Sequence, residues 1–173
     1  MILQGEKVQL RALEPEDLEF LFTIENDTSF WEISHTQTPF SKFILKQYIE
    51  NSHLDIYEAK QIRLLIENRN NKTPLGLIDL FDFNPQHKRA GIGIVIQHQY
   101  QNTGIATEIL SLVIEYCFQI LNIHQLFVNI TSDNYKSIAL FTNHGFKKCG
   151  EKKDWLYING KFKNELLFQL IHE

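Results

Sequence analysis

At 173 residues the chain is the size of one domain, and 43% hydrophobic with 12% aromatic residues provide for a sizeable core, which argues against disorder. A formal net charge of −4, with Lys and Arg scattered apart from short groups at residues 87–89 and 147–148, argues against the basic field of a nucleic-acid binder. Two cysteines without CxxC spacing and seven histidines without HxxxH or HExxH spacing offer no metal motif.

The first residues, MILQGEKVQL, turn polar by Gln4 and lack the apolar stretch of a signal peptide. No run of about 18 apolar residues is long enough for a membrane span. With two sparse cysteines, a soluble cytoplasmic protein is expected.

Val8, Leu10 and Ala12 alternate with polar residues and predict a first strand. LEPEDLEFLFTIEND predicts a helix, with Pro15 in its first turn, Glu16 and Asp17 at its positive end, and Leu18, Leu21, Phe22 and Ile24 as its apolar face. A loop with aromatic residues runs from Asn26 to Pro39. Ser41 then caps a second predicted helix, with Phe43, Ile44, Gln47 and Tyr48 on related faces. IRLLIEN and PLGLIDLFDF read as strands joined by the turn RNNKTP, and AGIGIVI as a third, whose Gly91 and Gly93 suggest a bulge or a close backbone approach.

QYQNTGIATEILSLVIEYCF puts a polar, glycine-bearing turn before a long helix with apolar residues at Ile109, Leu112, Val113, Tyr116, Cys117 and Ile120. HQLFVNI predicts a strand, SDNYKSIALFTNHGF a capped helix, and KKCGEKKDWLYI with NELLFQLI a hairpin around Asn159-Gly160. The order β-α-α-β-β-β-α-β-α-β-β, without linker or repeat, predicts one α/β domain over residues 1–173, built on a single mixed sheet with helices on its faces.

The turn at residues 101–106 admits two readings. Asn102 or Thr103 caps the helix and nothing more, or the free N–H groups of the first turn and the helix dipole hold an anion, with Gly104 leaving room for a phosphate. A resemblance weighs on that choice. Gln101-x-x-Gly104-x-Ala106 resembles the (Arg/Gln)-x-x-Gly-x-(Gly/Ala) loop of the GNAT superfamily of acyl-CoA-dependent N-acetyltransferases, and DNYKSIALFTNHGF resembles its Asn-x-x-Ser…Gly-Phe signature. VQLRALEPEDL, HKRAGIGIVI, EYCFQILNIHQLFVNI and NHGFKKCGEKKDWLYINGKFKNELLF are similar to the branch that holds the spermidine N-acetyltransferases and ribosomal-protein N-terminal acetyltransferases, over nearly the whole chain.

The resemblance implies a mostly antiparallel sheet of about seven strands whose central strands splay. It implies acetyl-CoA as co-substrate, with its pyrophosphate on Gln101, Asn102, Thr103, Gly104, Ile105 and Ala106. Pantetheine amides would pair along Ile94, Val95 and Ile96, and Asn134 and Ser137 would add polar contacts. Asn134, with Ser132 and Asp133, also reads as a simple helix cap. The acceptor implied is a primary amine, either a polyamine or a peptide N-terminus, and a homodimer is compatible with the branch.

Transfer to an amine requires a neutral nitrogen and a proton for the departing thiolate. Many GNAT enzymes carry a Tyr where this chain has Phe141, and many relatives in the branch a Glu where it has Gly91. Three explanations stand. Another acid serves, with Asp82 favoured over Asp79 on the third strand and Glu32 in the loop as a further candidate. Positioning and a water relay suffice. Or the chain binds acyl-CoA without transferring the group. Glu25, Asp27 and Glu32 offer negative charge to a cationic acceptor, and Phe30, Trp31 and Phe40 offer aromatic walls; all also read as ordinary surface or packing residues.

Overall fold

Seven strands among residues 2–173, the part of the chain that the computed structural model describes, form one sheet. They are β1 (Val8–Ala12), β2 (Ile62–Asn68), β3 (Pro74–Asn84), β4 (Arg89–Ile96), β5 (Gln125–Thr131), β6 (Lys147–Ile158) and β7 (Lys161–Ile171), in the order β1-β2-β3-β4-β5-β7-β6. Every neighbouring pair is antiparallel except β4 and β5. The helices are α1 (Leu18–Glu25), α2 (Trp31–Ser34), α3 (Lys42–Glu50), α4 (Ile56–Ala59), α5 (Ile105–Gln119) and α6 (Tyr135–Asn143).

Successive residues of a strand point to opposite faces, so the apolar runs of β2 to β4 feed two cores. On one face Ile66, Ile78, Ile92 and Leu126 pack against Ile109, Leu110 and Val113 of α5 and Phe141 of α6. On the other, Leu65 and Leu77 meet Leu21 and Ile24 of α1 and Leu45 and Ile49 of α3. Each such fully buried side chain contributes about 1.5–3 kcal/mol. The second face is thickly covered only over the first strands. Beyond β4 it is bridged by the segment around α2.

That segment, expected as loop, is helical at Thr28–Phe30 and again in α2, which ends at His35 in the left-handed region at φ 56°. Asn26 fixes its base: the side chain donates to Phe22 O and Phe40 O at 2.9 and 3.0 Å and accepts from Phe40 N at 2.8 Å. The face of α3 also differs from expectation. Leu45 and Ile49 are buried, whereas Phe43 and Ile44 are 67% and 50% exposed.

Candidate functional site

The parallel pairing of β4 with β5 is short: it joins Arg89 to Gln125, Ala90 to Leu126 and Gly91 to Phe127. Beyond Gly91, β4 stays paired to β3, and β5 to β7, but not to each other. A cleft opens there, and the peptide groups of Ile92–Val95 facing β5 form an interior strand edge. A cavity of about 360 Å³ occupies the cleft, and one of about 450 Å³ adjoins it toward α5. Phe30, Ile33, Ile94, Val95, Asn134 and Ser137 line both, so the two form one trough of a size that takes small molecules.

At the outer end stand the residues of the glycine turn. Gly104 is the N-cap of α5 at φ 82°, and no side chain caps the helix. The Thr103 hydroxyl donates instead to Tyr100 O at 2.7 Å and the Gln101 amide to Ile96 O at 2.9 Å, while Asn102 sits at φ 60°. The capping role that Asn102 or Thr103 might take is therefore absent among the described residues. The first-turn N–H groups remain open to an anion, favoured by the dipole of a 15-residue helix. A Cβ at Gly104 would meet nothing within 4 Å, which leaves that approach clear. Ile105 is buried and Ala106 half-buried, anchoring the helix start. Asn134 does cap α6, accepting from Ser137 N at 3.3 Å, and both residues still line the trough.

The inner end is polar on one face. Arg63 Nη1 donates to Glu25 Oε1 at 2.5 Å, and its Nε and Nη2 donate to Asp79 at 2.6 and 3.1 Å. Burial opposes the charge on Arg63, but the Asp79 carboxylate and then Glu25 hold it firmly protonated. Tyr48 stacks near it, 5.3 Å from the guanidinium, and burial raises the phenol above its ordinary value. Glu165 of β7 and His35 complete this wall. Three carboxylates thus face the cavity with one guanidinium.

Phe141 also lines the cavity, 2% exposed and edge-on to Phe146 at 5.1 Å, and has no proton to give. Gly91 is filled by the ring of Phe81, its partner on β3: a Cβ at Gly91 would lie 2.4 Å from that ring. What requires the glycine is a side-chain ring and not the close backbone approach expected there, and the bulge lies further along, where the β3–β4 register slips between Phe81 and Asn84.

Asp82 sits in that bulge at φ 47°, exposed and outside the cavity lining. Leu77, Asp79 and Phe81 share the cavity face of β3 by simple alternation, so of the two carboxylates it is Asp79, and not the preferred Asp82, that faces the cavity. Trp31 and Glu32 are also displaced from the cleft. Trp31 Nε1 donates to Glu25 O at 2.9 Å, Glu32 pairs with Lys163 at 2.9 Å, and both line a separate depression beside Trp155 and Tyr157. Phe30 is the loop aromatic that reaches the trough, with His98 stacked on it at 4.6 Å. Arg63, His35 and Glu165 were not anticipated. Strand parity offers a signal for Arg63, opposite Asp79 in the β2–β3 register, but none marks His35.

Comparison with known proteins bears on this geometry. Residues 7–147 match the family model described as an acetyltransferase (GNAT) domain. The chain is 30% identical over 165 residues to spermidine N(1)-acetyltransferase of Escherichia coli K12, covering 94% of this chain and 84% of the relative. The spermidine N-acetyltransferase of Vibrio cholerae, solved in complex with CoA and spermine, superposes with a TM-score of 0.88 at 24% identity over 96% of both chains. A dodecameric structure of that enzyme matches at 27% identity with a TM-score of 0.81, over 96% of this chain and 95% of the other. Among the described residues no helix is long and apolar enough to cross a membrane.

Proposed function

The chain belongs to the GNAT acetyltransferases and transfers an acetyl group from acetyl-CoA to an amine, and we propose that the amine is a polyamine. Similarity to named enzymes, at 30% identity over most of the chain, favours transfer over a protein that only binds acyl-CoA. One observation carries the choice of acceptor: Glu25, Asp79 and Glu165 line the inner cavity against the single guanidinium of Arg63. A wall with excess negative charge in a confined cleft attracts a small polycation. A cavity of about 360 Å³ suits an aliphatic amine arm better than a folded protein terminus. The polyamine-acetylating relatives support the same reading.

In this reading the outer trough seats the co-substrate, which supplies an activated acyl group as a thioester. The open N–H groups at Gly104, Ile105 and Ala106, with the turn through Gln101, Asn102 and Thr103, would hold its pyrophosphate. The unpaired edge at Ile94, Val95 and Ile96 would take its amide groups as an added strand, and Asn134 and Ser137 would offer polar contacts. The outer features fit: an uncapped helix end, a clear approach over Gly104 and an interior strand edge. Both cysteines are free, Cys117 buried and Cys149 exposed, which supports a reducing compartment such as the cytoplasm.

An amine panel tests the acceptor by following release of CoA thiol. Spermidine and spermine are expected to exceed a peptide with a free N-terminal Ala by at least about tenfold in kcat/KM, since each missing cation forfeits an interaction worth about 1 kcal/mol or more. A peptide preferred over both polyamines would overturn the proposal.

A further inference from the structure

Four titratable groups besides Arg63 line the inner cavity: Glu25, Asp79, His35 and Glu165. Two of them are committed, because Glu25 and Asp79 both accept from Arg63. Such bonds occupy the oxygens that an incoming ammonium would need.

Glu165 is different. Its side chain is 8% exposed, yet its carboxylate has no hydrogen bond among the described residues. No fully buried side-chain oxygen among the described residues lacks a partner, so the Glu165 oxygens open onto the cavity instead of being sealed in the core. The charged neighbours are His35 of α2, with Nε2 at 4.0 Å, and Lys152 of β6, with Nζ at 3.7 Å. Both lie beyond hydrogen-bond length. Lys163, two residues away on the same face of β7, is taken by Glu32 and Asp133 at 2.9 Å each. Across the cavity, Arg63 is engaged by Glu25 and Asp79. Glu165 pairs with Thr131 of β5, which also lines the cavity, so it stands on the wall opposite the β4 edge.

A nearly buried carboxylate without a hydrogen bond is costly, and its spare acceptor capacity is what an incoming ammonium requires. The positions where the family resemblance implies a Tyr and a Glu hold Phe141 and a Gly91 filled by Phe81. We propose that Glu165 receives the proton the acceptor ammonium sheds before attack, with His35 as a positioning residue beside it. This assignment rests on the acyl-transfer reading above.

The step balances without a further reactant. The ammonium gives one proton to the Glu165 carboxylate, and the freed nitrogen lone pair forms the C–N bond to the acetyl carbon as the C–S bond breaks. The second nitrogen proton leaves through water and the sulfur is protonated from water. Glu165 returns its proton to solvent, so the net products are the amide, the thiol and one proton. The chain needs no phenol for this, because a thiolate leaves readily.

The test is Glu165→Gln, assayed with spermidine from about pH 6 to about pH 9.5, with acetyl-CoA affinity measured by calorimetry. At pH 7 kcat/KM is expected to fall about 100-fold, the scale of a positioned base. The deficit should shrink towards the highest pH, where solution supplies neutral amine, and acetyl-CoA affinity should stay within about twofold. Glu165→Asp keeps the carboxylate and its charge towards Lys152. It carries the test if the amide variant does not fold: a lowered rate with the rising pH limb retained is expected. A Gln variant within about twofold of wild type, a deficit equal at every pH, or an Asp variant of undiminished rate overturns the assignment. A wild-type enzyme that binds acetyl-CoA but acetylates no polyamine overturns the acceptor reading and this assignment with it. A wild-type enzyme that acetylates polyamines while both Glu165 variants keep its rate overturns this assignment alone and leaves the acceptor reading standing.

Discussion

At the residue scale, the coupling between Gly91 and Phe81 leaves no room for the Glu that the family resemblance implies at position 91. The ring of Phe81 fills the space a side chain at position 91 would occupy, and Phe127, edge-on to it at 5.7 Å, crowds the same space. A carboxylate cannot be restored there alone. Gly91→Glu should destabilise the protein by about 1–3 kcal/mol through overpacking. Phe81→Ala in the same chain should recover part of that loss, a non-additivity that chemical denaturation of the two single variants and the double variant would measure. Additive losses would show that the ring and the glycine are independent. Asp82 and Glu165 show what could be read of the site beforehand and what could not. Alternation along β3 puts Asp79 and Asp82 on opposite faces, but it does not tell which face the cleft will use. Glu165 sits in NELLFQLI like any strand carboxylate, and its burial comes from a segment about 130 residues earlier.

At the scale of elements, the order of strands and long helices was legible because period and punctuation agree: Ser41 caps α3 and Asn159-Gly160 turns the last hairpin. The helices at Thr28–Phe30 and α2 were not legible, since so few residues carry no period. The face of α3 was misjudged because Phe43 and Ile44 are apolar yet turned outward, and propensity says nothing of which side a partner will take. The start of α1 provides a further test. Asp17 accepts from Glu14 N at 2.7 Å and makes a two-pronged contact with Arg11 at 2.8 and 2.9 Å, and Arg11 also reaches Glu67 of β2. Burial works to raise the Asp17 carboxyl, but Arg11 and the Glu14 N–H together hold it below the ordinary carboxylate value. A lowered folded-state value means stability that is present above the unfolded value, near pH 4, and lost as pH falls through the folded one. Asp17→Ala should cost about 2 kcal/mol at neutral pH, and the gap to wild type should close in acid. Calorimetric melting across that range decides the matter, and a gap independent of pH would show that the charge on Asp17 carries none of the effect.

For the whole molecule, the outermost hairpin is the most exposed apolar surface. Trp155, Tyr157 and Phe162 on β6 and β7 are 58%, 67% and 63% exposed, clustered at the hairpin tip. Aromatic groups of this kind gather at interfaces. Self-association through this surface is therefore expected, as the homodimer implied by the branch resemblance would require. Light scattering should give a particle heavier than one chain, and Trp155→Glu with Phe162→Glu should reduce it. A monomer at assay concentration would show the hairpin to be free.

The three-residue seam between β4 and β5 has a mechanical meaning as well. It makes the sheet two plates, β1 to β4 and β5 to β7, that share few rungs and are bridged on one face by α5 and α6. A donor molecule lying in the gap would replace the missing rungs with its own amides, so that occupancy and rigidity rise together. Once the thiol product departs, the plates regain their freedom, and the same gap that admits the donor becomes the door through which the spent carrier is released.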